Sequence, residues 1–168
     1  MALTMYSLSI PFFDAMLGNL DHLLDKAQAF AESKKIDPAV LLQVRLAPDM
    51  FPLPRQIQIA CDMAKGAAAR LAGIEVPSWE DKEASLDELA ERVRRTIAFV
   101  QSVPAEAFED SAQRAIVLPR RVGEPLHFVG EDYLRHWVLP NFYFHLSMSY
   151  ALLRQAGVEL GKADFLGR

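Results

Sequence analysis

HWVLPNFYFHLSMSYALL, residues 136–153, is an uninterrupted run without Asp, Glu, Lys or Arg, closed by Arg154. A helix this apolar on most of its surface belongs in a protein interior. At about 3.6 residues per turn, Asn141 and His145 stand one turn apart, on a face shared with Trp137, Met148 and Leu152. Polar groups aimed into such a face must find hydrogen-bond partners or lose free energy. The run is nearly long enough to span a bilayer, but two His, an Asn, a Pro and two Ser favour a buried core helix over a transmembrane one. Pro140 has no N–H and crowds the carbonyl of His136, so a kink or a division into two helices is expected there. The helix itself spans roughly Glu131 to Ala156, with Gly157 as its stop.

Outward from this run, the rest of the chain reads as helices that need the same interior. Ile10, Phe13, Leu17, Leu20, Leu24, Ala27 and Ala31 carry one apolar stripe from Ser9 to Lys34, with Ser9 as the expected N-cap and Pro11 in the first turn. A short second helix follows, with Asp37 as N-cap and Pro38 at its first position. RLAPDMFPLPRQ, residues 45–56, cannot be helical throughout because three prolines fix φ. A helix then runs from about Pro54 to Leu71 and stops at Gly73, with a small-residue face of Ile57, Ala60, Cys61, Ala64, Ala68 and Leu71 suited to close approach. Ser85 and Glu88 have capping-box spacing and open a helix from Leu86 to about Val103. AIVL (115–118) and LHFV (126–129) flank a connection containing Pro, Arg and Gly, and read as a small hairpin or two extended pieces. The tail GVELGKADFLGR packs back or frays. The pattern predicts an all-α four-helix bundle with a small extended insertion before the last helix, forming one domain over residues 1–168.

Composition narrows the partners. The chain has 168 residues, 51% hydrophobic and 24% charged, with a net charge of −4, the balance of a globular protein without an electrostatic footprint for nucleic acid. One cysteine, Cys61, excludes an intrachain disulfide and fits a reducing compartment. The apolar start MALTMYSLSIPFFDAML has no basic n-region and continues into an amphipathic helix, so it is read as fold rather than signal. A cytoplasmic protein with no membrane and no nucleic-acid partner is expected.

The helix after the prolines carries a polar stripe of Arg55, Gln58, Asp62 and Lys65, all within about 80° of one another. This predicts that Gln58 and Asp62 face a polar pocket with Asn141 and His145, because bundles build sites from inward side chains on facing helices. An Asp, an Asn and a His would offer a divalent ion one charged oxygen, one neutral oxygen and one nitrogen. The alternative is purely structural: Asp62 and His145 form a buried ion pair while Asn141 covers backbone groups freed at Pro140. Other residues carry less. His22 and His136 fall on wet faces, and His127 has no ligand neighbour. Cys61 sits on an apolar face where a thiol is inert. Tyr133, Trp137, Phe142, Phe144 and Tyr150 read as core and interface aromatics. No Gly-rich phosphate loop, GxSxG elbow or CxxC is present.

RLAPDMFPL (45–53), QIACDMAKGAAARLAG (58–73) and PNFYFHLSMSYALLRQAGVELGKADFLG (140–167), in that order, resemble a bacterial domain-of-unknown-function family grouped with the DinB/YfiT-like metalloenzymes. The resemblance implies a DinB-like four-helix bundle, often a homodimer, with a pocket between helices for a small molecule. Better-studied relatives bind metal through three histidines, one from the second bundle helix and two in an H-x3-H pair on the fourth. His145 matches the last of these, Asn141 stands at its partner's place, and Asp62 replaces the second-helix histidine. The resemblance therefore implies a divalent metal of the zinc, nickel or iron class on Asp62, Asn141 and His145. A metal-dependent enzyme of the thiol-dependent transferase or hydrolase class would follow, and a non-catalytic binding or interaction module is the alternative.

Overall fold

The structure, a computed structural model, describes residues 3–120 and 122–168; Met1 and Ala2 of the apolar start, and Arg121 of the hairpin connection, lie outside the described residues. Helix α1 (Ile10–Lys34) buries every member of the expected stripe, and Leu23 with them. Ser9 precedes it but does not cap it: its Oγ donates to the Met5 carbonyl at 2.6 Å, so the hydroxyl closes the turn before the helix. α2 (Ala39–Leu42) is a single turn, and the Asp37 carboxylate accepts from the Ala39 N–H at 2.9 Å. α3 (Leu53–Ala72) starts as the proline segment ends, and it stops at Gly73, whose φ of 71° is the left-handed conformation of a helix terminator. α4 (Leu86–Ser102) opens on Ser85, whose Oγ accepts from the Glu88 N–H at 3.1 Å. The Glu88 carboxylate reaches back to the Ala84 N–H, one residue earlier than in a standard capping box.

Strands β1 (Ala115–Leu118) and β2 (Leu126–Val129) form an antiparallel hairpin in which Ala115 faces Val129 and Leu118 faces Leu126. The chain then continues as one helical path: α5 (Gly130–Asp132), a π-helical segment (Tyr133–Val138) and α6 (Leu139–Gln155). Helix α1 packs on α4, α4 on α3, α3 on α6, and α6 closes back on α1, which makes the four-helix bundle. Its centre is apolar, with Phe13 and Phe142 meeting edge to face at 5.1 Å across α1 and α6. The tail packs back as α7 (Lys162–Leu166): Asn19 Nδ2 donates to the Phe165 carbonyl at 3.1 Å, and Lys26 pairs with Asp164 at 2.8 Å. No helix among the described residues is long and apolar enough to cross a membrane.

Of the two outcomes expected at Pro140, division of the helix does not occur. The helix widens before it, and the Leu139 N–H donates to the Leu134 carbonyl, a five-residue return. A π turn of this kind relieves the crowding of a proline ring without parting the helix. Asn141 Nδ2 donates to the Trp137 carbonyl at 2.6 Å, so the side chain satisfies a backbone oxygen beside the proline. The acceptor is the carbonyl of Trp137, not the His136 carbonyl that the Pro140 ring crowds.

Candidate functional site

The four residues expected to share one pocket do not meet: the α3 pair and the α6 pair bond different partners. His145 is 8% exposed, and its Nδ1 lies 2.7 Å from Gln56 Oε1. Since an amide oxygen only accepts, the imidazole must donate from Nδ1, and this fixes the tautomer with its lone pair on Nε2. Gln56 in turn donates from Nε2 to the Phe51 carbonyl at 3.2 Å, anchoring the chain to the end of the proline segment. Burial first, and the nearby Arg55 guanidinium second, push the His145 pKa below its usual value of 6.5. The folded protein therefore holds His145 neutral where the unfolded chain would bind a proton. Its contribution to stability is present above pH 6.5 and is lost as pH falls from there through the lower folded-state value. Nitrogen-resolved NMR should show a neutral Nδ1–H tautomer at pH 7 that titrates below 6.5; titration above 6.5 would contradict this environment.

Asp62 is elsewhere. It follows Gln56 by six residues on α3, and at about 100° per residue this turns it about 120° away from the face that meets α6. Its Oδ1 accepts from Lys65 Nζ at 2.9 Å and from Arg92 Nη2 at 3.1 Å, and the side chain is 36% exposed. The buried Asp62–His145 ion pair is not formed, and Asn141 is occupied with the Trp137 carbonyl. Gln58 is buried on the same stripe as Asp62, donating to Glu83 Oε2 at 2.8 Å and accepting from Arg55 at 3.3 Å. Gln58 and Asp62 join one network on α3, whereas Asn141 and His145, one turn apart on α6, bond partners of their own.

What gathers instead is a charge cluster between α3, α4 and the 74–85 connection. Arg92, 3% exposed at its side chain, bonds Glu83 at 2.8 Å, Asp81 at 2.9 Å, Asp62 at 3.1 Å and the Glu80 carbonyl at 3.2 Å. Arg55 pairs with Asp81 as well, and Lys65 lies 4.3 Å from the centre of the Trp79 indole, which also carries Arg95 at 4.3 Å. Burial alone would raise the Glu83 carboxyl, but the hydrogen bonds from Arg92 and Gln58 hold it below its usual range. Arg92 was the residue missed in the sequence, and there was a signal for it. Leu89, Arg92, Thr96 and Val100 share the inward spacing of α4, and a guanidinium on that face demands carboxylates.

The remaining expectations fall as follows. Cys61 is buried and its thiol is pushed up to about 12 by that burial, which leaves it inert at neutral pH. His22 and His136 are exposed at their side chains, and His127 is exposed on β2. Tyr133 and Phe142 are core residues, but Phe144 is 51% exposed because it lies on the outer side of α6. The donor set for a metal does not fit. Asp62 accepts from Lys65 and Arg92 on a face of α3 turned away from His145, and without that carboxylate His145 and Asn141 are two neutral donors on one helix. Among the described residues no group of three or more His, Cys, Asp or Glu side chains is placed to hold an ion.

None of five clefts on the surface is lined by Gln58, Asp62, Asn141 or His145. The largest of them, of about 840 Å³, lies between the segment leading into α1, the turn region 108–113 and the π-helical start of the last helix. Leu8, Phe12, Phe108, Leu134, Leu139 and Tyr143 make its apolar lining. This volume falls within the range of small-molecule pockets. Gly130 lets the walls meet: a Cβ there would stand 1.9 Å from the Ser111 carbonyl oxygen.

Residues 5–166 match the family described as "Domain of unknown function (DUF1993)". Among solved structures, the chain is similar to a DinB family member protein from Shewanella denitrificans, with 42% identity and a TM-score of 0.90 over 97% of this chain and 92% of that one. No curated protein matches the chain.

Proposed function

Since the chain belongs to the DUF1993 family of DinB-like bundles, and membership brings no activity with it, we propose that the protein is a binding module that holds an apolar small molecule in the cleft between its N-terminal segment and the π-helical turn. The observation that carries this reading is a division of labour. Most buried polar side chains bond one another or the backbone, whereas the largest of the five clefts is open and mainly apolar. Leu8 and Phe12 project into it from the N-terminal side with 37% and 48% of their surface exposed, area that a ligand would cover. Tyr143 supplies a polar handle. Burial raises its pKa, so the hydroxyl stays protonated at neutral pH and can donate to a ligand oxygen or nitrogen.

In this reading the Arg92 cluster and the His145–Gln56 pair are structural. They fix how α3 sits against α4 and α6, a use of buried polar groups that needs no chemistry. The metal-enzyme alternative requires Asp62, Asn141 and His145 to converge, and their bonds run elsewhere.

The test is titration with a neutral fluorescent probe, N-phenyl-1-naphthylamine. Saturable binding with one site per chain is expected, weakened at least about tenfold by Leu139→Trp, which fills the cleft with an indole. Leu8→Trp, on the exposed wall, provides a second block in case the first variant folds poorly. No saturable binding, or binding untouched by either folded variant, would overturn the proposal. So would stoichiometric metal in protein purified without chelators and lost in His145→Ala.

A further inference from the structure

The cleft has a charged mouth, and its charge is one-sided. Glu131 and Arg135 face each other one helical turn apart with Nη1 and Oε1 at 2.7 Å, so they neutralise one another. Glu109 and Asp110, on the opposite wall, form no salt bridge among the described residues and are exposed. They stand side by side between two short 3-10 turns, Ala105–Phe108 and Ser111–Gln113, and Phe108 from the first of these lies in the apolar lining. Asp110 takes φ of 57°, the left-handed turn that carries the chain from one wall segment to the next. Two carboxylates without a salt bridge among the described residues thus border an apolar space on one side, with no free cation opposite them among its described lining residues.

We infer that the ligand of this cleft is a cationic amphiphile, an apolar body bearing an amine or quaternary ammonium group that lies between Glu109 and Asp110. This rests on the cleft being a binding site, as proposed above, and adds the chemical class of the ligand. The apolar body supplies most of the affinity through buried area, and the two carboxylates select the sign of the head group. Each exposed charge contact contributes modestly, so two of them shift affinity by about tenfold at low salt, and added salt erodes the effect. An anionic head group of the same chain length meets two like charges and is disfavoured.

The experiment compares decyltrimethylammonium, decyl sulfate and decanol, all below their micelle concentrations, on the folded full chain by calorimetry. Decyltrimethylammonium should bind about tenfold more tightly than decanol, and decyl sulfate more weakly than either. In the double variant Glu109→Gln, Asp110→Asn this preference should vanish while binding of the neutral fluorescent probe persists. Asparagine suits the left-handed backbone at position 110, so the variant keeps the turn. Equal binding of all three head groups, with the neutral probe still bound, would overturn the cationic assignment and leave the cleft reading standing. A preference that survives in the double variant would also overturn it, because the selection would then come from the net charge of −4 and not from this mouth. If neither the probe nor any of the amphiphiles binds, both proposals fall together.

Discussion

Replacing Arg92 by Ala should destabilise the protein by about 3–5 kcal/mol, read as a shift in denaturant midpoint at unchanged slope. The side chain is 3% exposed and holds together Asp62, Asp81 and Glu83. Removing it leaves three carboxylates facing one another. Each keeps a second partner, respectively Lys65, Arg55 and Gln58, and Asp62 and Asp81 stay about one-third exposed, which places the loss toward the lower end. Arg92→Lys should fall between, because an ammonium cannot reproduce the fork that bonds Glu83 and Asp62 from two different nitrogens. The pH dependence gives a second readout. With its folded pKa lowered, Glu83 contributes stability that is present above about pH 4.5 and is lost as pH falls through the folded value. In Arg92→Ala that acid-side slope should flatten. A loss below about 1 kcal/mol with the slope intact would show that the cluster is a solvated surface feature.

The Arg92 cluster also shows how far the sequence could be read. The polar stripe of Arg55, Gln58, Asp62 and Lys65 was legible from spacing alone, because helical periodicity fixes which residues share a face. Which neighbour that face meets was not legible. α3 packs on both α4 and α6, and the choice depends on the rotation of the helix about its axis, which the packing of the whole bundle sets. Once Leu53, Ile57, Ala60 and Ala64 are committed to the interior, Gln56 faces His145 and Asp62 turns toward α4. Helical spacing placed His145 on an apolar face that demands a partner, but it could not supply that partner, since glutamine in a proline-bounded first turn carries no motif. The cleft left even less trace. Its walls come from residues 3–12, 108–113 and 131–143, and no single amphipathic pattern links segments so far apart. The individual helices and the stops at Gly73 and Gly157 needed only local rules and were legible in the spacing, whereas of the hairpin only the two extended pieces were legible and not their pairing.

Gly130→Ala should destabilise the fold and deform the cleft, whereas Gly18→Ala should do the opposite to stability. Both glycines lie in helices, where alanine is favoured by about 0.5–1 kcal/mol through backbone entropy. At Gly18, exposed in α1, a new Cβ meets nothing within 4 Å, so the entropic gain stands alone and the variant should be more stable. At Gly130 the same carbon would come within 1.9 Å of the Ser111 carbonyl oxygen and 3.0 Å of its carbon, both backbone atoms, with Leu71 behind them at 3.3 Å. A side chain can rotate out of such an overlap; a backbone carbonyl must carry its whole segment with it. Overpacking of this kind costs about 1–3 kcal/mol or more, which exceeds the entropic gain and reverses the sign. The segment that must move, Ser111–Gln113, is the cleft wall that carries Asp110 at its start. The variant should therefore lose affinity for the neutral probe beyond what its loss of stability accounts for, measured at temperatures where it remains fully folded. A Gly130→Ala protein as stable as Gly18→Ala, with probe affinity unchanged, would mean that the 3-10 wall yields freely and that the cleft is not held in shape by this contact.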